Sequence, residues 1–228
     1  MIRSAFGIAL AALIAMPLSA QTVSPPPSLT LDQVPPVPVD LRTATAPYLE
    51  ARSVPVEGWN PATHGLLIAT RFGNSVQLHE VAGPGMDRLQ ISFEEEPIAG
   101  GSYAPHRGDA LVVEKDVGGA EFYQLYTLKA GRLTLLTDGK SRNEGPRWDR
   151  EGGRLAYTST RRNGTDNDIY LIDPRAPGND RMVAQVAGNG WRVVAFAPGG
   201  RQAVVEHYRS IEQTELYAMD TATGRCTG

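Results

Sequence analysis

The chain has 228 residues, 22 Lys and Arg against 25 Asp and Glu, and a formal net charge of -3. That length supports one or two domains with a sizeable core, and the near-neutral charge speaks against a nucleic-acid partner, which selects basic surfaces. A single cysteine excludes a disulfide framework and any multi-cysteine metal site, while 24 glycines and 17 prolines describe a soluble, turn-rich chain.

Met1-Ile2-Arg3-Ser4 carries one positive charge, and Ala5 to Met16 is an unbroken apolar run. Pro17-Leu18-Ser19-Ala20 then ends on a small residue. This is the pattern of a secretory signal peptide over residues 1–20, cleaved after Ala20. The apolar run is too short to span a bilayer, which takes about 20 residues. No membrane span is therefore expected after cleavage. Residues 21–46 read as a Pro-rich tether. Pro25-Pro26-Pro27 and Val34-Pro35-Pro36-Val37-Pro38 favour polyproline II and oppose helix. Only Leu41 to Ala51 carries a helical reading, and Pro47 should interrupt it.

Residues 47–228 read as strands. Short β-branched and aromatic runs begin at Leu66–Thr70 and Val76–Val81 and continue to Ala203–His207 and Glu215–Met219. Turns such as Gly118-Gly119, Asp138-Gly139 and Asn163-Gly164 separate them. The strands repeat. Aromatics open successive units at Trp59, Tyr103, Trp148 and Phe196, with gaps of 44, 45 and 48 residues. A second series, Leu78, Leu125, Ile169 and Leu216, has gaps of 47, 44 and 47. Two series with one period, near 45 residues and about four strands, give an all-β fold: a β-propeller. A blade cannot bury both faces alone, so both series are expected in the layers between blades. Trp59 to Gly228 accommodates about four blades of an incomplete or open propeller. The last unit breaks off after Asp220-Thr221-Ala222-Thr223-Gly224-Arg225, and a closing strand is expected to be missing.

Motifs that carry chemistry are absent. No Gly-x-Ser-x-Gly elbow occurs. His64, His79, His106 and His207 are scattered and do not form a zinc pattern. No phosphate loop is present, and Asp166-Asn167-Asp168 starts like a calcium loop without its glycine and distal Glu. No catalytic residue, cofactor or metal is assigned. Glu94-Glu95-Glu96 reads as a solvated strand end. Arg71 and Arg161-Arg162 share one hairpin position in two repeats, where the other two carry Lys115 and His207-Tyr208-Arg209. Arg71, Arg161, Arg162 and Arg209 are therefore the candidates for contact with a substrate or partner.

Pro146-Arg147-Trp148-Asp149-Arg150-Glu151-Gly152-Gly153-Arg154-Leu155-Ala156-Tyr157-Thr158-Ser159 resembles the P-x-W-S-P-D-G-x-x-I-A-Y-x-S signature of WD40-like propeller repeats. Asp168-Ile169-Tyr170-Leu171-Ile172-Asp173 resembles the D-I-Y-x-x-D that follows it. Phe196-Ala197-Pro198-Gly199-Gly200-Arg201 and Glu215-Leu216-Tyr217-Ala218-Met219-Asp220 repeat both halves. Such repeats occur in the Tol system's periplasmic propeller and in the N-terminal propellers of prolyl oligopeptidase-family (S9) serine peptidases. Tyr48-Leu49-Glu50-Ala51-Arg52 with Gly58-Trp59, and Glu121-Phe122-Tyr123-Gln124-Leu125-Tyr126, are more similar to the second group. That resemblance implies a non-catalytic propeller in the periplasm or outside the cell, gating peptide access to an α/β-hydrolase domain that this sequence lacks. The Tol-type resemblance implies instead a free-standing propeller that binds a periplasmic protein. Asp149-Arg150-Glu151-Gly152 departs from the Ser-Pro-Asp-Gly of the repeat signature.

Overall fold

In a computed structural model, residues 21–228 are described. The signal-peptide reading of residues 1–20 lies outside them. The chain divides into two units at Ala51/Arg52.

In the first unit the proline-rich stretch turns back on itself. Val23 N–H donates to Val37 O and Val39 N–H to Gln21 O, both at 2.8 Å. A plain extended spacer was expected; the paired ends use the few N–H groups that the prolines leave. Helix α1 (Val39–Leu49) begins two residues before the expected span and ends two before it. Pro47 lies inside it, without the interruption its ring would cause at mid-helix. It stands near the C-terminal end, where Glu50 N–H closes the last turn on Ala46 O at 2.9 Å. None of the helix is buried.

In the second unit, alternation along each strand sends side chains to opposite faces, and turn residues bring each strand back beside the last. The result is four antiparallel meanders, each ordered one to four. The first comprises β1 (Val56–Trp59), β2 (Leu66–Thr70), β3 (Gln77–Val81) and β4 (Arg88–Gln90). The second comprises β5 (Gly100–Tyr103), β6 (Leu111–Lys115), β7 (Gln124–Lys129) and β8 (Arg132–Leu135). The third comprises β9 (Asn143–Trp148), β10 (Leu155–Ser159), β11 (Asp168–Ile172) and β12 (Arg181–Ala184). The fourth comprises β13 (Trp191–Phe196), β14 (Gln202–Ser210), β15 (Gln213–Asp220) and β16 (Cys226–Thr227). These are propeller blades. β16 corrects the expectation of a missing closing strand. Asp220 Oδ1 accepts the N–H groups of Ala222 and Thr223, and Gly224 turns at φ +72° to set Cys226 against Met219. A side chain on Gly224 would collide with Val183 O.

Three apolar layers hold the blades together. Leu67, Ala69 and Leu78 of blade 1 meet Leu111, Val113 and Leu128 of blade 2. Val112 and Leu125, on the other face of blade 2, meet Trp148, Leu155, Tyr157 and Tyr170 of blade 3. Ala156, Ile169 and Leu171 then meet Phe196, Ala203, Val205 and Met219 of blade 4. At Gly101 of β5 the approach is so close that a Cβ would stand 2.9 Å from Leu78 Cδ1. The two repeat series occupy defined sides of these layers. The Leu/Ile of strand three faces the following blade, and the aromatic of strand one faces the preceding blade.

That rule explains two departures from the expected core. Leu78, Leu125 and Ile169 are fully buried, but Leu216 is 60% exposed. Trp148 and Phe196 are buried and Tyr103 half-buried, but Trp59 is 66% exposed. No fifth blade stands over Leu216 and none precedes Trp59 among the described residues. Pattern alone marks all eight positions as core; only the neighbours decide which are.

Candidate functional site: the hairpin end of the blade stack

A one-to-four meander sends every strand 2–3 hairpin, and every crossover from strand four to the next blade, to the same end. The hairpins start at Arg71, Asp116, Thr160 and Ile211. The crossovers run through 91–99, 136–142 and 185–190. Arg71, Arg161, Arg162 and Arg209 therefore all belong to one end of the stack.

A recurrent polar tie anchors this end. Gln77 donates from Nε2 to Glu94 O at 2.9 Å and Glu96 O at 3.1 Å, and its Oε1 accepts from Ser92 Oγ and Glu94 N. Gln124 does the same one blade on: Nε2 donates to Ser141 O at 2.6 Å, and Oε1 accepts from Thr137 Oγ1 and Gly139 N. In blade 3 the position is Asp168, which accepts from Val186 N at 2.9 Å. A carboxylate has no N–H to offer, and Arg162 supplies it, donating to Asp168 at 2.6 Å and to Val186 O at 3.0 Å. In blade 4 the position is Glu215, which accepts from Tyr217 Oη at 2.8 Å and Arg209 Nε at 3.2 Å. These four residues precede Leu78, Leu125, Ile169 and Leu216, so their 47-, 44- and 47-residue spacing was legible in the sequence. Sequence reasoning missed the two glutamines because they carry no charge signal, and it weighed Asp168 only as the start of a calcium-type loop.

The candidate arginines differ in what they hold. Arg162 also reaches Asp166 at 2.6 Å, so its guanidinium supplies the positive charge facing Asp166 and Asp168. Arg161 folds back over the Tyr170 ring at 4.2 Å and pairs with Asp180, which also accepts from the Tyr157 hydroxyl. Arg209 pairs with Glu215 and keeps about half its side chain exposed. Arg71 is half-buried at the root of the first hairpin. Lys115 is buried, with Glu94 at 2.9 Å and Glu96 at 3.2 Å. Burial works against the ammonium, but the two carboxylates prevail and raise its pKa. The acidic run is therefore not merely a solvated strand end: two of its three members neutralise a buried lysine.

A groove of about 530 Å³ opens at this end, and its lining includes Phe122, Arg142, Glu144, Thr160, Asn167 and Arg209, with Gly190 and Tyr208. Of the four candidate arginines only Arg209 lines it. A second hollow of about 450 Å³ adjoins it through Glu144, Asn167, Gly190 and Tyr208 and adds Trp191, Arg192 and Glu206. Charges here come in pairs, Arg192 with Glu206 at 2.7 Å and Arg142 with Glu144 at 3.6 Å. Arg142 also lies over Phe122 at 5.8 Å. Trp191 stacks on His207 at 3.8 Å between centroids, and burial lowers the His207 pKa. Near the groove, burial pushes the Glu114 carboxyl up to about 7, reinforced by Glu144 and Glu57. Paired charges, amides and aromatic edges suit the polar backbone and mixed side chains of a peptide better than a small anion, which would need unpaired donors.

No protein-family model matches the sequence, and no curated protein matches it. Solved structures do match. TolB from Acinetobacter baumannii superposes with a TM-score of 0.56 at 15% identity, over 76% of this chain and 42% of that one. A prolyl endopeptidase gives 0.62 at 12% identity, over 81% of this chain and 31% of that one. The putative TolB from Agrobacterium tumefaciens gives 0.54 at 16%, over 77% and 61%. At these identities the likeness establishes the propeller fold. The chain spans less than two thirds of the length of each. No helix among the described residues is long and apolar enough to cross a membrane.

Proposed function

We propose that this chain is the non-catalytic propeller portion of an exported prolyl oligopeptidase-like peptidase, which docks on a hydrolase domain and screens the peptides that reach it. The supporting observation is the hairpin-end groove. It gathers Phe122, Tyr208, Asn167 and Arg209 from three blades around self-paired charges, a lining that can hold a peptide without transforming it. The sequence resemblance of the 121–126 run points the same way, and the signal-like pattern of residues 1–20 supports a periplasmic or extracellular setting for this role. In this role the chain supplies no nucleophile and the partner domain does. Arg209, with the hairpin arginines Arg71, Arg161 and Arg162, belongs to the docking end.

Titrating the purified chain with short proline-containing peptides tests this reading. Weak saturable binding is expected, diminished several-fold by Arg209→Glu, with no p-nitroaniline released from a prolyl p-nitroanilide substrate. Hydrolysis by rigorously purified protein would overturn it. The second reading, a free-standing periplasmic propeller that binds a protein partner, draws on the TolB likeness. Reading the encoding transcript separates the two: a Gly-x-Ser-x-Gly hydrolase in the same polypeptide supports the first, an unrelated neighbour the second.

A further inference from the structure

The outer face of blade 4 carries Val204, Leu216, Ala218 and Tyr208, all exposed. Register places them on one surface: Val204 stands opposite Ala218 and Glu206 opposite Leu216. Three times within the chain the same face is covered, because Leu78, Leu125 and Ile169 each lie buried under the next blade. The cover has a defined character. It is the preceding-side face of a blade, presenting the strand-one aromatic and a glycine or other small surface into which the leucine fits, as Leu78 fits Gly101.

That complementary face lies open among the described residues. It is the uncovered half of blade 1, where Trp59 is exposed and Leu66 and Val81 are half-buried. Beside them Val56, opposite Ile68 in the register, is exposed as well. The other half of that face is already closed. Phe72 packs edge-on against His79, with Arg88 at 4.1 Å over its ring. So the chain carries both halves of an interface it builds three times internally, one half at each end of the stack.

We propose that two copies of this chain associate head to tail, Leu216 of each seating against Trp59 of the other. The contact is heterologous, and two such contacts related by a two-fold axis close the ring. Two sets of four blades make eight, within the ~4–8 range of closed propellers. The proposal concerns the free chain and does not depend on the peptidase reading.

Sedimentation velocity of the purified chain across about 1–100 μM tests it. The expected species has twice the 24.6 kDa chain mass. Leu216→Asp and Trp59→Glu are each expected to weaken association by ~30-fold or more, the scale of a central contact. Both side chains are exposed, so neither change should impair folding, and circular dichroism of the variants verifies this. Mixing the two variants restores one intact contact and yields a heterodimer. Monomer throughout the range overturns the proposal. So does a dimer that Trp59→Glu leaves intact, because that would be a face-to-face contact between two fourth blades.

Discussion

Leu125 and Leu216 occupy the same position of the same repeat, with the same strand register. Glu114 stands opposite Leu125 in blade 2, and Glu206 stands opposite Leu216 in blade 4. One leucine is fully buried and the other 60% exposed. Glu114 is desolvated between blades near two further carboxylates, whereas Glu206 reaches Arg192 at 2.7 Å. Identical local sequence grammar thus gives opposite energetics, because a blade contributes only half of each core layer. Stability in such a stack resides in the interfaces between neighbours more than in the repeats themselves.

The largest expected effect breaks this comparison directly. Leu125→Ala removes a side chain enclosed by two blades and should cost about 3 kcal/mol, within the 2–5 range for buried leucines. Leu216→Ala in dilute protein should cost under about 0.5 kcal/mol, as at other exposed positions. Urea denaturation of both variants checks the pair, and equal losses would contradict the layered account.

Glu114 sharpens it. Its folded pKa of about 7 stands above the ordinary 4.5. The folded state therefore binds the proton more tightly, and stability falls as pH rises from about 4.5 to 7, then levels off. Across that window the carboxyl costs about 3 kcal/mol, at 1.36 kcal/mol per pH unit. Glu114→Gln should recover most of this at pH 8 and nothing at pH 4. Unfolding curves at the two pH values show whether the gain depends on pH, and a gain of equal size at both would refute the assignment. His79 acts at the acid side. Burial lowers its pKa below 6.5, so its contribution to stability is present above 6.5 and is lost as pH falls from there through the lowered folded value. His79→Gln should soften that acid loss, seen as a shallower decline of melting temperature between pH 7 and 5.

Gln124 gives a smaller, local effect. Gln124→Ala removes the amide bridge to Ser141 O and Gly139 N and should cost about 2 kcal/mol through the unpaired groups it leaves. Hydrogen exchange should quicken at Gly139 and Leu125 and remain unchanged at Val205. Uniform acceleration would mean that the tie is not local.

Much of this was legible in the sequence. The 45-residue period located the blades, since strand alternation and turn chemistry are local and recur. Trp59 and Leu216 could not be read correctly, because burial depends on the presence of an adjacent blade, which no residue in their own repeat encodes. The Glu94–Glu96 run was likewise opaque: its meaning lies in Lys115, about twenty residues away, brought close only by the crossover. The arginines were legible as a group at one end, but their individual partners were not. Arg161 and Arg162 look alike in sequence, yet one lies over Tyr170 and the other completes the tie at Asp168.

Thiol labelling tests the central contrast most directly. Cys226 is the chain's one cysteine, so Cys226→Ser gives a silent background for Leu125→Cys and Leu216→Cys. In dilute protein the thiol at position 216 should label at least ~100-fold faster than that at 125, which reacts only when the blades separate. Its rate should fall as protein concentration rises. Comparable rates at the two positions, at every concentration, would contradict the account.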